Sequence, residues 1–213
     1  MPGLVGCEPL SQLFKPIKPG QGYKYKDYLN PSVRPYISRD AYVREHPEAS
    51  GLTGEAAILE RLMTSQKHGG VMIYGDGGIG KTRLMLELGL MAEKNGWVVY
   101  YISHQLQDLS RLKSCLTPGN HYLLMFDSIE DHPLFTCDLI DKLEQIAPGV
   151  SVKAAANCRT IYSFASTFPQ SKEFLTVELT LKGKEAPCPG GNSQNPLFPG
   201  PGPAAPLTIG SMK

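Results

Sequence analysis

Gly75-Asp76-Gly77-Gly78-Ile79-Gly80-Lys81-Thr82 fits the pattern G-x-x-x-x-G-K-[ST] at every fixed position. The apolar run Val71-Met72-Ile73-Tyr74 precedes it and Arg83-Leu84-Met85-Leu86-Glu87-Leu88 follows it. A buried strand therefore feeds a glycine-rich loop that opens a helix, the context that separates a phosphate-binding loop from a chance glycine cluster. Glycine at 75, 77, 78 and 80 frees the backbone to turn successive N–H groups inward around an anion, and the helix that follows adds its positive end. The residues expected to hold a nucleoside triphosphate are Gly75, Asp76, Gly77, Gly78, Ile79, Gly80, Lys81, Thr82 and Arg83. Lys81 is expected at the β- and γ-phosphates, with the Thr82 hydroxyl in the coordination shell of Mg²⁺.

Working outward, the 213 residues suit one α/β domain with extensions. A formal net charge of +1 supplies no electrostatic case for nucleic acid or membrane partners. The apolar runs are far shorter than the roughly 20 residues that cross a bilayer, and the N-terminus lacks a basic start and long apolar stretch, so a cytoplasmic location is expected. The five cysteines, at 7, 115, 137, 158 and 188, form no C-x-x-C pair. Their odd number and spacing argue against a zinc site and a disulfide framework and for reduced packing residues. His104, His121 and His132 show no metal-ligand spacing and read as solvated or capping residues.

Residues 1–50 are rich in Pro, Gly, Tyr and Lys and read as an irregular arm, with the alternation Tyr23-Lys24-Tyr25-Lys26-Asp27-Tyr28 a candidate edge strand. From 51 the character changes: Ile58, Leu59, Leu62 and Met63 recur at helical spacing behind Thr53 as N-cap, and Lys67-His68-Gly69-Gly70 stops that helix. Beyond the loop helix, Asn95-Gly96 is a stop and Trp97-Val98-Val99-Tyr100-Tyr101-Ile102 a strand. Leu106, Leu109 and Leu112 suggest a short helix. His121-Tyr122-Leu123-Leu124-Met125-Phe126-Asp127 is a further strand with an acid at its carboxyl end, where parallel sheets gather ligands. Asp127 is thus the expected Walker-B acid on the metal side, the alternative being an ordinary turn residue.

Residues 133–147 return to helix, and Val150-Ser151-Val152-Lys153-Ala154-Ala155-Ala156-Asn157 is a fourth strand ending in Cys158-Arg159-Thr160. A basic or polar tip there can report the γ-phosphate, so Arg159 is the sensor candidate and Asn157 the second. A short helix through Phe164 and a fifth strand, Phe174-Leu175-Thr176-Val177-Glu178-Leu179, complete the pattern. The expected fold is an α/β P-loop NTPase three-layer αβα sandwich with a mainly parallel five-stranded sheet. Its core runs over 51–182, and Pro187-Cys188-Pro189-Gly190-Gly191 and Pro199-Gly200-Pro201-Gly202-Pro203 make 183–213 a Pro/Gly-rich tail expected to be disordered.

With these residues placed, the chain resembles the STAND class of signalling ATPases, which includes the NACHT and NB-ARC groups. Leu123-Leu124-Met125-Phe126-Asp127-Ser128-Ile129-Glu130-Asp131 is similar to the NACHT-type Walker B, Leu52-Thr53-Gly54-Glu55 to the opening segment of such modules, and Ala156-Asn157-Cys158-Arg159-Thr160 to their sensor strand. The resemblance implies an ATP-binding, slowly hydrolysing switch core of a larger signalling or defence protein, with ATP-dependent self-association and with ATP and Mg²⁺ as its ligands. Ser128 stands where most ATPases of the wider group carry a catalytic Glu, so the base falls to Glu130 or Asp131. The catalytic set is then Lys81, Asp127, Glu130, Asp131 and Arg159, with Thr82 and Asp127 on the metal. Two other readings stay open. One is a free-standing enzyme, an AAA-like ATPase or small-molecule kinase; the other is a nucleotide-binding scaffold without turnover.

Overall fold

Val71, Met72 and Ile73 are fully buried in an inner strand of a seven-stranded sheet. The computed structural model describes residues 6–14, 30, 35–46, 54–136, 138–159, 173–179 and 207–211, with the side chains of Asp131 and 207–211 outside that description. The strands are β1 (Cys7–Pro9), β2 (His68–Gly75), β3 (Val98–Ile102), β4 (His121–Phe126), β5 (Ser151–Cys158), β6 (Glu173–Leu179) and β7 (Leu207–Ser211). The helices are α1 (Leu10–Leu13), α2 (Arg39–Glu45), α3 (Glu55–Thr64), α4 (Lys81–Lys94), α5 (Leu109–Lys113) and α6 (Leu139–Ile146), with a 3₁₀ turn at Ile129–Asp131.

The strand order is β1-β3-β4-β5-β2-β6-β7. The five inner strands run parallel, and β1 and β7 add antiparallel rims on β3 and β6. The sheet is therefore mixed and mostly parallel, with two strands more than the sequence predicts. Both additions come from stretches that read as irregular. β1 is three residues long and ends in Pro9, tolerable because a rim strand has one side with no ladder to feed. β7 arises within the tail expected to be disordered.

Helices cover both faces. Ile58, Leu59 and Leu62 of α3 and Leu84, Met85 and Leu88 of α4 pack with Val71, Ile73, Met125 and Ala155. Leu112 of α5 and Leu139, Ile140 and Leu143 of α6 pack on the opposite face with Met72, Leu124, Phe126 and Ala156. The two sets alternate along each strand, as a period of two requires of a sheet buried on both sides.

Several boundaries differ from the sequence reading. β2 starts at His68 rather than Val71, because Gly70 sits where a Cβ would run into the Ala154 carbonyl and the Phe174 ring. Gly70 lets β2 approach β5 and β6 closely and is no loop signal. The helix expected over 133–147 is confined to Leu139–Ile146, after the 3₁₀ turn and a bend at Pro133 and Leu134. The arm holds α2, N-capped by the Ser38 hydroxyl, which accepts from Ala41 N at 3.3 Å. Thr53, the Tyr23 to Tyr28 alternation, the helix through Phe164 and the Pro/Gly runs at 187–191 and 199–203 lie outside the described residues.

Candidate functional site

The glycine loop joins the carboxyl end of β2 to the first turn of α4. Gly75 has φ 141° and Gly78 has φ 76°, conformations that disfavour any side chain. Gly75 is doubly constrained, since a Cβ would also strike the Leu179 carbonyl of β6. At Gly77, Gly78 and Gly80 an added Cβ would meet nothing within 4 Å, so the loop borders open space. Gly80 is the left-handed N-cap of α4 and carries no capping side chain. Asp76 is exposed and Ile79 packs in part against the α4-side core.

Lys81 Nζ donates to Gly75 O and to Asp76 O, both at 2.7 Å, bending its ammonium over the loop. Partial burial lowers the Lys81 pKa from its ordinary value, against the opposing pull of Cys158 and Glu130 and with the help of Arg159. Arg83, one turn into the helix, pairs with Glu87 at 2.6 Å and places its guanidinium carbon 5.5 Å from the Tyr36 ring centroid.

Strand order decides what faces Thr82. β4 is separated from β2 by β5, so an acid at the end of β4 reaches α4 only across the tip of β5. Asp127 follows Met125 by two residues and Asn157 follows Ala155 by two, and Met125 and Ala155 both lie on the α4 face. The three groups meet there. Thr82 Oγ1 donates to Asp127 Oδ1 at 2.9 Å. Asn157 Nδ2 donates to the same Asp127 oxygen at 2.7 Å and lies 3.4 Å from Thr82 Oγ1. Asn157, only 2% exposed, also accepts from Ser128 N at 2.9 Å through Oδ1.

Glu130 and Arg159 meet through a backbone amide. The Glu130 carboxylate accepts the backbone N–H of Arg159, and the Arg159 residue as a whole is exposed. Cys158, beside them, is a buried free thiol whose pKa is pushed up to about 12, by burial first and then by the Glu130 charge, with Lys81 opposing. The structure therefore gathers Lys81, Thr82, Asp127 and Glu130 at one end of the sheet, with Asn157, the second sensor candidate, bonded between Asp127 and Ser128 and the backbone of Arg159 bonded to Glu130. Asp131 closes the 3₁₀ turn, with its side chain outside the described residues.

His132 is buried rather than solvated. Its ring stands edge-on to Phe126 and 4.8 Å from His104, its Nδ1 accepts from Leu134 N at 3.4 Å, and its Nε2 lies 3.3 Å from Ile102 O. Burial, with the neighbouring His104, lowers its pKa to about 4.

A second polar cluster, which the sequence does not announce, lies in the arm. Glu55, 2% exposed, accepts from Tyr36 Oη, Ser38 Oγ, Arg39 N at 2.9 Å and Asp40 N at 3.1 Å. Asp40 returns the favour by accepting Ala56 N at 2.9 Å, so each helix start is capped by a carboxylate from the other. At sequence level Glu55 stands only as the last residue of the Leu52-Thr53-Gly54-Glu55 opening segment. Its partners lie 15 to 19 residues upstream, in a segment with no period to flag it.

Among known proteins, no family model matches this chain. No curated protein matches it either. Solved structures similar to it include a chain of the "E. coli MS115-1 HORMA:CdnC:Trip13 complex", at 17% identity and a TM-score of 0.35 over 59% of this chain and 55% of that one. C. elegans PCH-2 matches at 11% identity and a TM-score of 0.31, over 60% of this chain and 40% of its own. Rhizobiales Trip13 matches at 16% identity and a TM-score of 0.32, over 66% and 54%. The matched portion is thus about half the length of these chains, and likeness at this level carries no argument about activity. These findings overturn the STAND-class resemblance: no family model supports it, and none of these three structures is titled a NACHT or NB-ARC protein. Among the described residues, no helix is long and apolar enough to cross a membrane.

Proposed function

We propose that the chain is a P-loop NTPase of three-layer αβα build that binds Mg·ATP at the glycine loop and hydrolyses it. The observation that carries this reading is the contact of Thr82 Oγ1 with Asp127 Oδ1 at 2.9 Å, with Asn157 bonded to the same oxygen. A loop hydroxyl and a carboxylate from a strand two places away converge at the start of a helix whose preceding glycines border open space. That donor set, one hydroxyl and one carboxylate, suits Mg²⁺, which takes few protein ligands and completes its octahedron with water and phosphate oxygens. Bound there, the cation would offset charge on the β- and γ-phosphate oxygens.

The chain's own groups supply the rest. Loop N–H groups and the α4 N-terminus orient the phosphates, and Lys81 counters charge on the bridging region. Glu130 takes the proton of water as its oxygen bonds to the γ-phosphorus. The bond from that phosphorus to the β–γ bridging oxygen breaks, its electron pair leaving with ADP. Asn157 holds Asp127 and Thr82 in register. A second reading, binding without turnover, is favoured by Ser128, an exposed hydroxyl where an acid would serve as base.

Calorimetric titration of the full chain with Mg·ATP, followed by a phosphate-release assay, tests both. Saturable binding that Lys81→Ala weakens by about 2 to 4 kcal/mol, with turnover that Glu130→Gln removes, is the expected result. Binding without turnover selects the scaffold, and no binding ends the nucleotide reading altogether.

A further inference from the structure

Asp127 is followed by Ser128, the one non-glycine among the described residues with positive φ, at φ 58° and ψ 71°. A residue with a Cβ resists this region, and Ser128 gains no visible compensation from its side chain, which is exposed and caps nothing. The benefit lies in where the chain goes next. The left-handed step turns it straight into the 3₁₀ turn, so that Ile129 packs against the core and the Glu130 carboxylate swings back to accept Arg159 N. The Ser128 N–H, which the turn would otherwise leave pointing into the strand tips, is taken by Asn157 Oδ1. Three hydrogen bonds thus fasten the end of β4 and the turn after it to the end of β5, from Asp127, Ser128 and Glu130. Glu130 is held close enough to Lys81 and Cys158 for its charge to act on both.

We propose that Ser128 is the positioning residue of this site: its left-handed backbone, locked by Asn157, turns the acid two residues later back onto the tip of β5, where it serves as the base. The proposal rests on the nucleotide reading above. It makes the hydroxyl of Ser128 dispensable and its backbone conformation essential. Strained residues that their surroundings hold in place tend to mark functional geometry, and here the geometry served is that of Glu130.

The test compares Ser128→Gly, which adopts the turn freely, with Ser128→Val, whose branched side chain opposes it. Three quantities are read on the full chain: hydrogen exchange at the backbone amides of residues 128 and 159 without nucleotide, Mg·ATP affinity by calorimetry, and phosphate release resolved into kcat and KM across pH. With valine, both amides should exchange faster and kcat should fall by about tenfold or more while affinity stays within about threefold, the pattern of a group that acts only in the transition state. Glycine should restore protection and kcat. Adding Ser128→Val to Glu130→Gln should cost nothing further, since the two changes disable one device. The proposal is overturned if valine leaves kcat and protection at wild-type levels, if glycine is as damaging as valine, or if the wild type binds Mg·ATP without turning it over. A chain that binds no nucleotide brings down the reading it rests on, and unchanged exchange at 128 and 159 in the valine variant then overturns the aiming role by itself.

Discussion

Glu55 and Asp127 are both carboxylates facing polar partners near the first turn of a helix, yet they are built for opposite ends. Glu55 is almost wholly buried and accepts four donors, two of them backbone amides, so its charge is matched by the fold itself. Asp127 is only partly buried, and its bonds among the described residues converge on a single oxygen from Thr82 and Asn157, beside a loop with open space in front. A saturated carboxylate fixes structure, whereas a carboxylate held from one side is arranged for something that arrives. Buried acid alone does not mark a site; the remaining coordination capacity does.

That contrast can be broken or sharpened by experiment. The largest effect expected on ligand binding is Lys81→Ala, which should cost about 2 to 4 kcal/mol of Mg·ATP affinity by calorimetry and leave the urea midpoint nearly unmoved. Next, Glu55→Ala should lower unfolding free energy by about 2 to 3 kcal/mol in urea, since it strands several donors at once, while leaving ATP affinity within about threefold. If Glu55→Ala weakened ATP binding as much as stability, the two regions would be one system, and the stacked Tyr36 and Arg83 would be the route between them.

A smaller effect comes from pH. His132 has its pKa lowered to about 4 in the folded chain, chiefly by burial, from an ordinary value of 6.5. The unfolded chain therefore binds more protons between those values. The His132 contribution is fully present above about pH 6.5 and is lost as pH falls toward 4. His132→Gln should flatten that part of a stability profile measured by denaturant titration. The smallest change is expected at Arg159, whose contact to Glu130 is made by its backbone. Arg159→Ala should alter the ratio of ATP to ADP affinity by less than about threefold, as suits an exposed cation; a larger shift would restore the side chain to the mechanism.

How far the sequence could be read depends on how local each signal is. The loop, its flanking strand and helix, and the acid ending His121-Tyr122-Leu123-Leu124-Met125-Phe126-Asp127 are contiguous patterns, and Thr82 and Asp127 come into contact in the structure. Asn157 is different. It bridges because β5 lies between β4 and β2, a fact of strand order that no window on the chain contains. The strand-tip position made Asn157 legible only as a second candidate sensor behind Arg159, and its bonds to Asp127 and Ser128 come from that strand order. Glu55 was hidden for a related reason, because its partners lie in an arm without periodicity. β1 and β7 escaped because three residues ending in Pro9, and five following a Pro/Gly run, carry too little pattern to outweigh their surroundings.

The outermost strand has a practical consequence. Leu207–Ser211 runs beside Leu175–Leu179, shielding the flank of the strand that itself abuts the glycine loop through Leu179. Trimming the polypeptide ahead of position 207 would strip a row of peptide groups bare at that flank, an invitation to stick to any extended segment nearby. A shortened version prepared for crystallisation or screening should therefore clump more readily than the full 213 residues.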